Sequence, residues 1–211
     1  MYQTYLYCNV NFVCIETIVL ASNNLNKLEE IQVLLGSQFS VIPQNVFDIS
    51  PIEETGVNFE ENALLKAKSV YDIIGRPVIA DDSGLEVAVL DNQPGIYSRR
   101  FAGNNATDDD NIEKLLRKMH KIPLANRAAR FRCVIAVLGA RGVDQPVMFQ
   151  GEWVGYIAEK RVGKNGFGYD PIFVDLESNR TAAELNAIEK NKISHRAKAI
   201  QSLKSYLLGD D

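Results

Sequence analysis

The chain has 211 residues, of which 46% are hydrophobic and 24% are charged, and its formal net charge is −4. This composition suits one domain, or two closely joined lobes, with a sizeable core. A mildly acidic protein lacks the excess of basic residues that is typical of a general DNA or RNA binder. Positive charges concentrated in one place would still suit a small phosphorylated ligand. No apolar run approaches the ~20 residues that span a bilayer. Three cysteines without a CxxC pair disfavour a disulfide scaffold or a zinc site. We therefore predict a cytoplasmic protein with neither a nucleic-acid nor a membrane partner.

The first 16 residues, MYQTYLYCNVNFVCIE, are apolar and aromatic and lack the basic region and cleavage site of a signal peptide. We interpret residues 1–16 as an N-terminal extension, either irregular or an extra edge strand, and residues 17–211 as the main domain. A β-branched apolar run predicts a buried strand at Thr17–Ala21. Either Asn24 or Asn26 can cap the helix that follows.

A second helix start is marked by Asn58 and Glu61, three residues apart. The strand predicted at Val78–Ala80 ends at two acidic residues, Asp81 and Asp82. The other predicted strands are Ser40–Ile42, Ala128–Gly139, Val147–Gln150 and Trp153–Glu159, and the other predicted helices are Asp108–Met119 (exposed), Thr181–Glu189 and His195–Leu207. The early alternation of strands and helices indicates an α/β fold. We expect an elongated, two-lobed single domain with a long twisted mixed central sheet, flanking helices, and an active-site cleft between the lobes.

A polar segment lies between the first strand and the first helix, and its residues are Ser22, Asn23, Asn24, Leu25, Asn26 and Lys27. Backbone N–H groups at a helix N-terminus suit a phosphate, and Lys27 adds a full positive charge. The glycines of a Walker loop are absent. An ordinary polar helix cap with a solvated lysine is the alternative interpretation.

Two carboxylate pairs lie at predicted element boundaries. Glu53 and Glu54 precede the second helix, and Asp81 and Asp82 follow a buried strand. Carboxylate oxygens are the ligands that Mg²⁺ prefers, and strand ends of α/β sheets commonly bind ligands. The alternative is a surface acidic turn, because Asp-Asp-Ser-Gly is good turn chemistry by itself.

The glycine-rich sequence Gly166-Phe167-Gly168-Tyr169-Asp170-Pro171 allows the backbone to approach a flat ligand closely. Phe167 or Tyr169 could stack on a purine, and Asp170 could accept a hydrogen bond from a ring or a ribose. Standing alone, the segment is equally consistent with a Gly/Pro turn beside core aromatic residues.

A fourth motif is Ser194-His195-Arg196, with Lys190 one helical turn upstream. A guanidinium beside an imidazole can donate hydrogen bonds to a carbonyl oxygen in a fixed plane. The alternative is a serine helix cap followed by solvated charges.

The order of these motifs carries more information than any one of them. From Thr17 to about residue 208, SNNLNK, EETG, FEENALLKAK, ADDSGLEV, PGIYSRRFAG, FGYDPIF, TAAEL and ISHRAKA together closely resemble the inosine triphosphate pyrophosphatase family, also called Ham1-like proteins. The first 16 residues are not matched. Arg99-Arg100 places a bulkier or more charged residue where such proteins often carry alanine.

The resemblance implies an α/β fold with a mixed sheet, two lobes around a cleft, and a homodimer. It implies hydrolysis of ITP, dITP and XTP between the α and β phosphates, giving a monophosphate and pyrophosphate. Such an activity keeps deaminated purines out of nucleic acid.

Carried over residue by residue, the resemblance implies several roles. Ser22 to Lys27 would hold the phosphates, and Lys66 would face the triphosphate. Glu53 and Asp82 would bind Mg²⁺, for which Mn²⁺ could substitute, and Glu54 and Asp81 would lie nearby. Asp82 would also accept the proton of the attacking water, and Ser83 would touch the nucleotide. The base and ribose pocket would consist of Phe167, Gly168, Tyr169, Asp170, Lys190, His195 and Arg196.

Three other functions fit parts of the sequence. A Maf-like nucleotide pyrophosphatase also begins with a strand and a phosphate loop, but FGYDP and SHR argue against it. A silent nucleotide-binding sensor would keep the pocket without the chemistry. A structural or interaction protein would use the aromatic N-terminal segment.

Overall fold

The computed structural model describes residues 16–210, so the predicted N-terminal extension lies outside the described residues except for Glu16. The strands are β1 (Glu16–Leu20), β2 (Phe39–Pro43), β3 (Val78–Val87), β4 (Gln93–Pro94), β5 (Ala128–Leu138), β6 (Val147–Ile157) and β7 (Phe173–Asp175). The α-helices are α1 (Leu25–Leu35), α2 (Phe59–Ile74), α3 (Asp108–Lys118), α4 (Ala187–Ile193) and α5 (His195–Leu208).

The seven strands form one mixed sheet in the order β2-β1-β3-β5-β6-β7, with β4 also paired to β3. The pairs β1–β2 and β1–β3 are parallel, whereas β3–β5, β5–β6 and β6–β7 are antiparallel. Helices cover both faces of the sheet, because α1 and α5 pack on one face and α2 packs on the other. The predicted single α/β domain with a mixed central sheet is therefore confirmed.

The helix starts follow local capping chemistry. Asn24, rather than Asn26, caps α1 by accepting a hydrogen bond from Lys27 N. Asn58 caps α2 in the same way, and Gly75 ends that helix in the left-handed conformation. The predicted exposed helix α3 is amphipathic instead, with Ile112 and Leu115 buried.

Two strand predictions were too short. The acidic segment Asp81–Gly84 is not a turn: β3 continues through it and pairs with Arg132–Ile135 of β5. The segments predicted at Val147–Gln150 and Trp153–Glu159 are one strand, β6, because Gly151 remains extended and pairs with Cys133.

The helix predicted at Thr181–Glu189 was also wrong. A short 3-10 helix occupies Ala182–Glu184, and α4 begins only at Ala187. Asn186 accepts a hydrogen bond from Glu189 N and therefore caps a separate helix. Within residues 16–210, none of the helices has the length and apolar character needed to cross a bilayer.

The sheet leaves one edge of β3 open where the cleft forms. Strand β1 pairs with β3 only as far as Ile79, and β4 pairs with it only from Glu86 onward. Between these points β3 has no strand partner on that side among the described residues. Side chains from both faces of the sheet can therefore reach the same opening.

Candidate active site

A cleft of about 380 Å³ lies along the open edge of β3. This volume suits a small-molecule ligand. The lining contains the residues that the sequence predicted for the site except four, which are Leu25, Asn26, Glu53 and Asp81. Leu25 is 67% exposed, and the side chains of Asn26 and Glu53 are also exposed. The cleft thus joins the four sequence motifs in one place.

Asp81 and Asp82 point to opposite faces of β3, because successive side chains of a strand alternate. Asp81 faces α1 and α5, where it meets Lys27 and Arg196. Asp82 faces α2, where it meets Lys66. The predicted carboxylate pair is therefore two separate centres on one strand.

The Asp81 carboxylate is fully buried and has four donors. Lys27 forms an ion pair with one of its oxygens, and Arg196 Nε lies 3.2 Å from the other. Ser83 Oγ and Cys133 Sγ also donate to it, at 2.7 and 3.0 Å. Burial alone would raise the pKa of Asp81, but Lys27 and Arg196 hold that pKa well below its usual range. Asp81 is therefore ionised and ties the first turns of α1 and α5 to the sheet.

The Asp82 carboxylate is buried beside Lys66, but only one of its two oxygens has a hydrogen-bond partner among the described residues. Lys66 Nζ lies 3.1 Å from Asp82 Oδ1 and 2.7 Å from Glu54 Oε1. No residue among those described forms a hydrogen bond with Asp82 Oδ2. Burial raises the pKa of Asp82 to about 6, although the positive charge of Lys66 lowers it in part. A carboxylate with this pKa is ionised at neutral pH and can readily accept a proton.

The turn before α2 presents Glu54, not Glu53, to the cleft. Besides Lys66, the Glu54 carboxylate contacts Arg100, whose guanidinium lies 3.1 Å away. Burial would raise the pKa of Glu54, but Lys66 and Arg100 lower it below its ordinary value. Glu53, the metal ligand expected from the resemblance, lies outside the lining.

The chemistry of Asp82 and Glu54 is compatible with a magnesium ion, because both offer carboxylate oxygens. Both carboxylates contact Lys66 Nζ, which brings them to the same part of the cleft, and Asp82 keeps a buried oxygen without a partner among the described residues. Groups of three or more histidine, cysteine or carboxylate ligands do not occur within residues 16–210. Mg²⁺ commonly uses one or two carboxylates and completes its coordination with water and substrate phosphates.

The start of α1 forms the end of the cleft that suits a phosphate group. Ser22 Oγ accepts a hydrogen bond from Asn24 N at 3.1 Å. Asn23, Asn24 and Lys27 also line the cleft. Because the first backbone N–H groups of a helix carry a partial positive charge, this end attracts an anion.

The opposite end is aromatic and basic. Asp170 Oδ2 accepts hydrogen bonds from Phe167 N at 2.9 Å and from Lys190 Nζ at 2.7 Å. Gly166 permits this approach, since it has a φ of 75° and a Cβ there would collide with the Asp170 carboxylate. Lys190 Nζ also lies 5.0 Å from the centre of the Phe167 ring. The loop from Gly166 to Asp170 is therefore held in one conformation by the buried Asp170 carboxylate, unlike an ordinary surface turn.

His195 and Arg196 are buried, so they are not solvated charges that follow a helix cap. His195 stacks on Phe131 with the ring centres 4.8 Å apart. Burial and the charge of Arg196 lower the pKa of His195 well below its ordinary value, so the imidazole is neutral. Its Nδ1 has no hydrogen-bond partner among the described residues. A ligand in the cleft could supply that partner.

Several residues of the site had no distinct sequence signal. Glu30, on α1, forms ion pairs with Lys190 and Arg196, and it therefore fixes the basic end of the cleft. It could have been found as one helical turn after Lys27, on the same face. Glu30 lies behind the lining, and the polar residues of the lining itself that were not predicted are Gln44, Ser98, Arg99, Asp108 and Asn111.

Comparison with known proteins gives a consistent family assignment. Residues 18–206 match the model of the Ham1 family. The chain is 47% identical over 191 residues to the dITP/XTP pyrophosphatase of Coxiella burnetii (strain RSA 493 / Nine Mile phase I), covering 90% of this chain and 96% of that protein. It is 46% identical over 187 residues to the dITP/XTP pyrophosphatase of Vibrio parahaemolyticus, covering 88% and 94% of the two chains.

Solved structures agree with these sequence matches. A HAM1 protein from Coxiella burnetii superposes with a TM-score of 0.84 at 46% identity, covering 92% of this chain and all of that one. A nucleoside-triphosphatase / dITP/XTP pyrophosphatase from Mycobacterium abscessus superposes with a TM-score of 0.71 at 39% identity, covering 89% and 98%.

Proposed function

Because this chain belongs to the Ham1 family, we propose that it hydrolyses the non-canonical purine nucleoside triphosphates ITP, dITP and XTP. The products are the nucleoside monophosphate and pyrophosphate, since water attacks the α-phosphorus and the bond to the β-phosphate breaks. The names of the similar proteins from C. burnetii and V. parahaemolyticus support this substrate class. The reaction would remove deaminated purines from the nucleotide pool.

The surroundings of Asp82 are the main structural support for the proposed reaction. Its buried carboxylate has a raised pKa of about 6 and an oxygen without a hydrogen-bond partner. As the O–P bond forms, Asp82 accepts the proton of the attacking water, and pyrophosphate departs from the α-phosphorus. Hydrolysis of a phosphoanhydride needs an aligned water and charge neutralisation more than covalent catalysis.

Mg²⁺, or Mn²⁺ in its place, would be held by Asp82 and a glutamate of the Glu53–Glu54 turn. The position of the Glu54 carboxylate beside Lys66 favours Glu54 over Glu53. Such an ion neutralises phosphate charge and polarises the oxygens that it contacts. The protein itself would supply Lys27 and Lys66 to the phosphates, with Asn23 and Asn24 as further donors.

Selectivity for the base would come from the aromatic and basic end of the cleft. Phe167 would stack on the purine, and Arg196 with His195 would contact the 6-oxo group. Adenine has an amino group at that position, which would leave a buried donor unpaired at a cost of ~1–3 kcal/mol. This cost corresponds to about one to two decades of discrimination per lost contact.

We also propose that the protein acts as a cytoplasmic homodimer, as the family resemblance implies. Light scattering at micromolar concentration should give about twice the mass of one chain. A monomeric mass that persists at high concentration would exclude this part of the proposal.

Hydrolysis of dITP in ¹⁸O-labelled water tests the reaction. The proposal expects one pyrophosphate per dITP, with the label in the monophosphate, and activity that EDTA abolishes and Mg²⁺ or Mn²⁺ restores. Label in the released pyrophosphate would place the attack at the β-phosphorus, and release of orthophosphate would place the cleavage at the β–γ phosphoanhydride, so either result would contradict the proposal. Tight binding of dITP without turnover would instead support a silent nucleotide sensor.

A further inference from the structure

Arg99 differs from the other basic side chains of the cleft. The described lining has five of them, namely Lys27, Lys66, Arg99, Lys190 and Arg196, together with four acidic side chains. Each of the other four forms an ion pair with at least one carboxylate. No ion pair within residues 16–210 includes Arg99, which is exposed and also lines the cleft.

The backbone around Arg99 is nevertheless fixed. Its carbonyl oxygen accepts a hydrogen bond from Asn111 Nδ2 at 2.9 Å, which joins this segment to α3. The next residue, Arg100, is held by Glu54 at 3.1 Å, and its guanidinium lies 5.1 Å from the centre of the Tyr97 ring. The two adjacent arginines therefore differ: the charge of Arg100 is paired with Glu54, whereas the side chain of Arg99 starts from a fixed backbone and forms no ion pair among the described residues.

A lining of five positive and four negative side chains is close to neutral. A polyphosphate carries several negative charges. The charges of the paired cations are already partly neutralised by carboxylates, so a cation without an ion pair attracts the polyphosphate more strongly. A guanidinium also matches two phosphate oxygens at once. We propose that Arg99, from the lining of the cleft, binds the polyphosphate of the nucleotide substrate. This inference rests on the proposed function for the identity of that nucleotide.

Such a contact makes a specific kinetic prediction. Arg99 contacts the bound substrate without taking part in bond cleavage, so its loss should raise KM and leave kcat unchanged. Arg99→Ala should raise KM for dITP about tenfold at low salt, the lower end of the range for a hydrogen bond to a charged group, because Arg99 is exposed. Salt should reduce that difference, because an exposed charge is screened. Arg99→Lys keeps the charge and should recover part of the affinity.

The experiment compares wild type, Arg99→Ala and Arg99→Lys, with Arg76→Ala as the matched control. Arg76 is an exposed arginine that lies over Phe47, and it is not part of the cleft lining. Steady-state kinetics with dITP are measured at low and high salt. Inhibition by inorganic pyrophosphate and by deoxyinosine monophosphate separates contacts to the polyphosphate from contacts to the nucleoside.

We expect Arg99→Ala to weaken the binding of dITP and of pyrophosphate, and to leave the binding of the monophosphate near the wild-type value. It is overturned if Arg99→Ala behaves like Arg76→Ala, or if kcat falls while KM is unchanged. Calorimetric binding of pyrophosphate tests Arg99 without any turnover. A wild-type protein that fails to hydrolyse dITP would defeat the proposed function, and the calorimetry would still decide the role of Arg99.

Discussion

Asp81 and Asp82 are adjacent in sequence, yet burial in two different surroundings shifts their pKa values in opposite directions. The carboxylate of Asp81 meets two cations and two further donors, and its pKa is lowered. The carboxylate of Asp82 has one cation and a free oxygen, and its pKa rises to about 6. A single residue step along β3 therefore separates a structural anchor from the proposed base.

Asp82→Asn should lower kcat for dITP by about 10²–10⁴, the usual contribution of a general base. The amide has nearly the same shape but cannot accept the proton. Thermal unfolding should show a folded variant, so that the loss is one of chemistry. Asp91→Asn makes the same chemical change at an exposed residue and serves as the control. Normal turnover by Asp82→Asn would refute the assigned role.

Asp175 gives a prediction about stability and pH. Burial would raise its pKa, but hydrogen bonds from Ser178 N at 2.7 Å and Trp153 Nε1 at 2.8 Å lower it below its ordinary value. A lowered folded-state pKa stabilises the fold above the unfolded-state pKa, and this contribution is lost as the pH falls through the folded-state value.

Asp175→Asn should therefore reduce the free energy of unfolding by about 1–3 kcal/mol near pH 7. The difference from wild type should shrink as the pH falls through the lowered pKa of Asp175. Urea unfolding at a series of pH values measures it, with the exposed Asp72→Asn as the control. A difference that stays constant or grows in acid would contradict the pKa assignment.

At the scale of elements, α5 carries His195 and Arg196 into the cleft because it packs closely on β6. Gly151 makes that contact possible: a Cβ there would lie too close to His195 O and Ala199 N. Gly155, on the same strand, is equally restricted, but its Cβ would collide with Val174 O of β7. Substitution of each glycine therefore tests a different contact of β6, that of Gly151 with α5 or that of Gly155 with β7.

Gly151→Ala and Gly155→Ala should each reduce stability by about 1–3 kcal/mol, as overpacking usually does. Only Gly151→Ala should also raise KM for dITP, because it displaces the first turn of α5. Denaturant unfolding and steady-state kinetics on both variants measure the two effects. Equal changes in KM for the two variants would show that the contact of α5 with Gly151 does not position the base pocket.

The helix boundaries of the fold could largely be predicted, because their signals are local. Asn58 and Gly75 bound α2, and Ser194 caps α5, as their spacing indicated. The course of β3 through Asp81 could not be predicted. Its buried charge is compensated by Lys27 and Arg196, which are 54 and 115 positions away in the chain.

The same limit applies to the site. Motif order was enough to predict most of the residues that line the cleft, but it could not decide between Glu53 and Glu54. Sequence spacing does not tell which of two adjacent side chains turns inward, whereas contacts with Lys66 and Arg100 do so in the structure. Arg99 was singled out only as a local departure, since its lack of a partner is visible only in three dimensions.

For the whole molecule, the described fold and the family match begin at nearly the same place. Strand β1 starts at Glu16, which pairs with Phe39, and the family match starts at residue 18. Removal of residues 1–14 should therefore leave the unfolding temperature and the turnover of dITP close to the full-length values. A truncated protein that loses activity or changes its mass in solution would instead assign the N-terminal segment a role in catalysis or association.

The proposed selection of ITP, dITP and XTP over other nucleotides is a property of the whole molecule, because both ends of the cleft contribute to it. Pyrophosphate release from dITP, XTP, dATP, dGTP and dUTP in the presence of Mg²⁺ tests it most directly. We predict values of kcat/KM for dITP and XTP that exceed the value for dATP by at least about one to two decades, the range set by one unpaired donor. Guanine shares the 6-oxo group, so slow turnover of dGTP, like that of dUTP, is expected from the substrate class that the names of the similar proteins support and not from that contact. Equal or faster turnover of dATP, dGTP or dUTP would contradict the proposed selection.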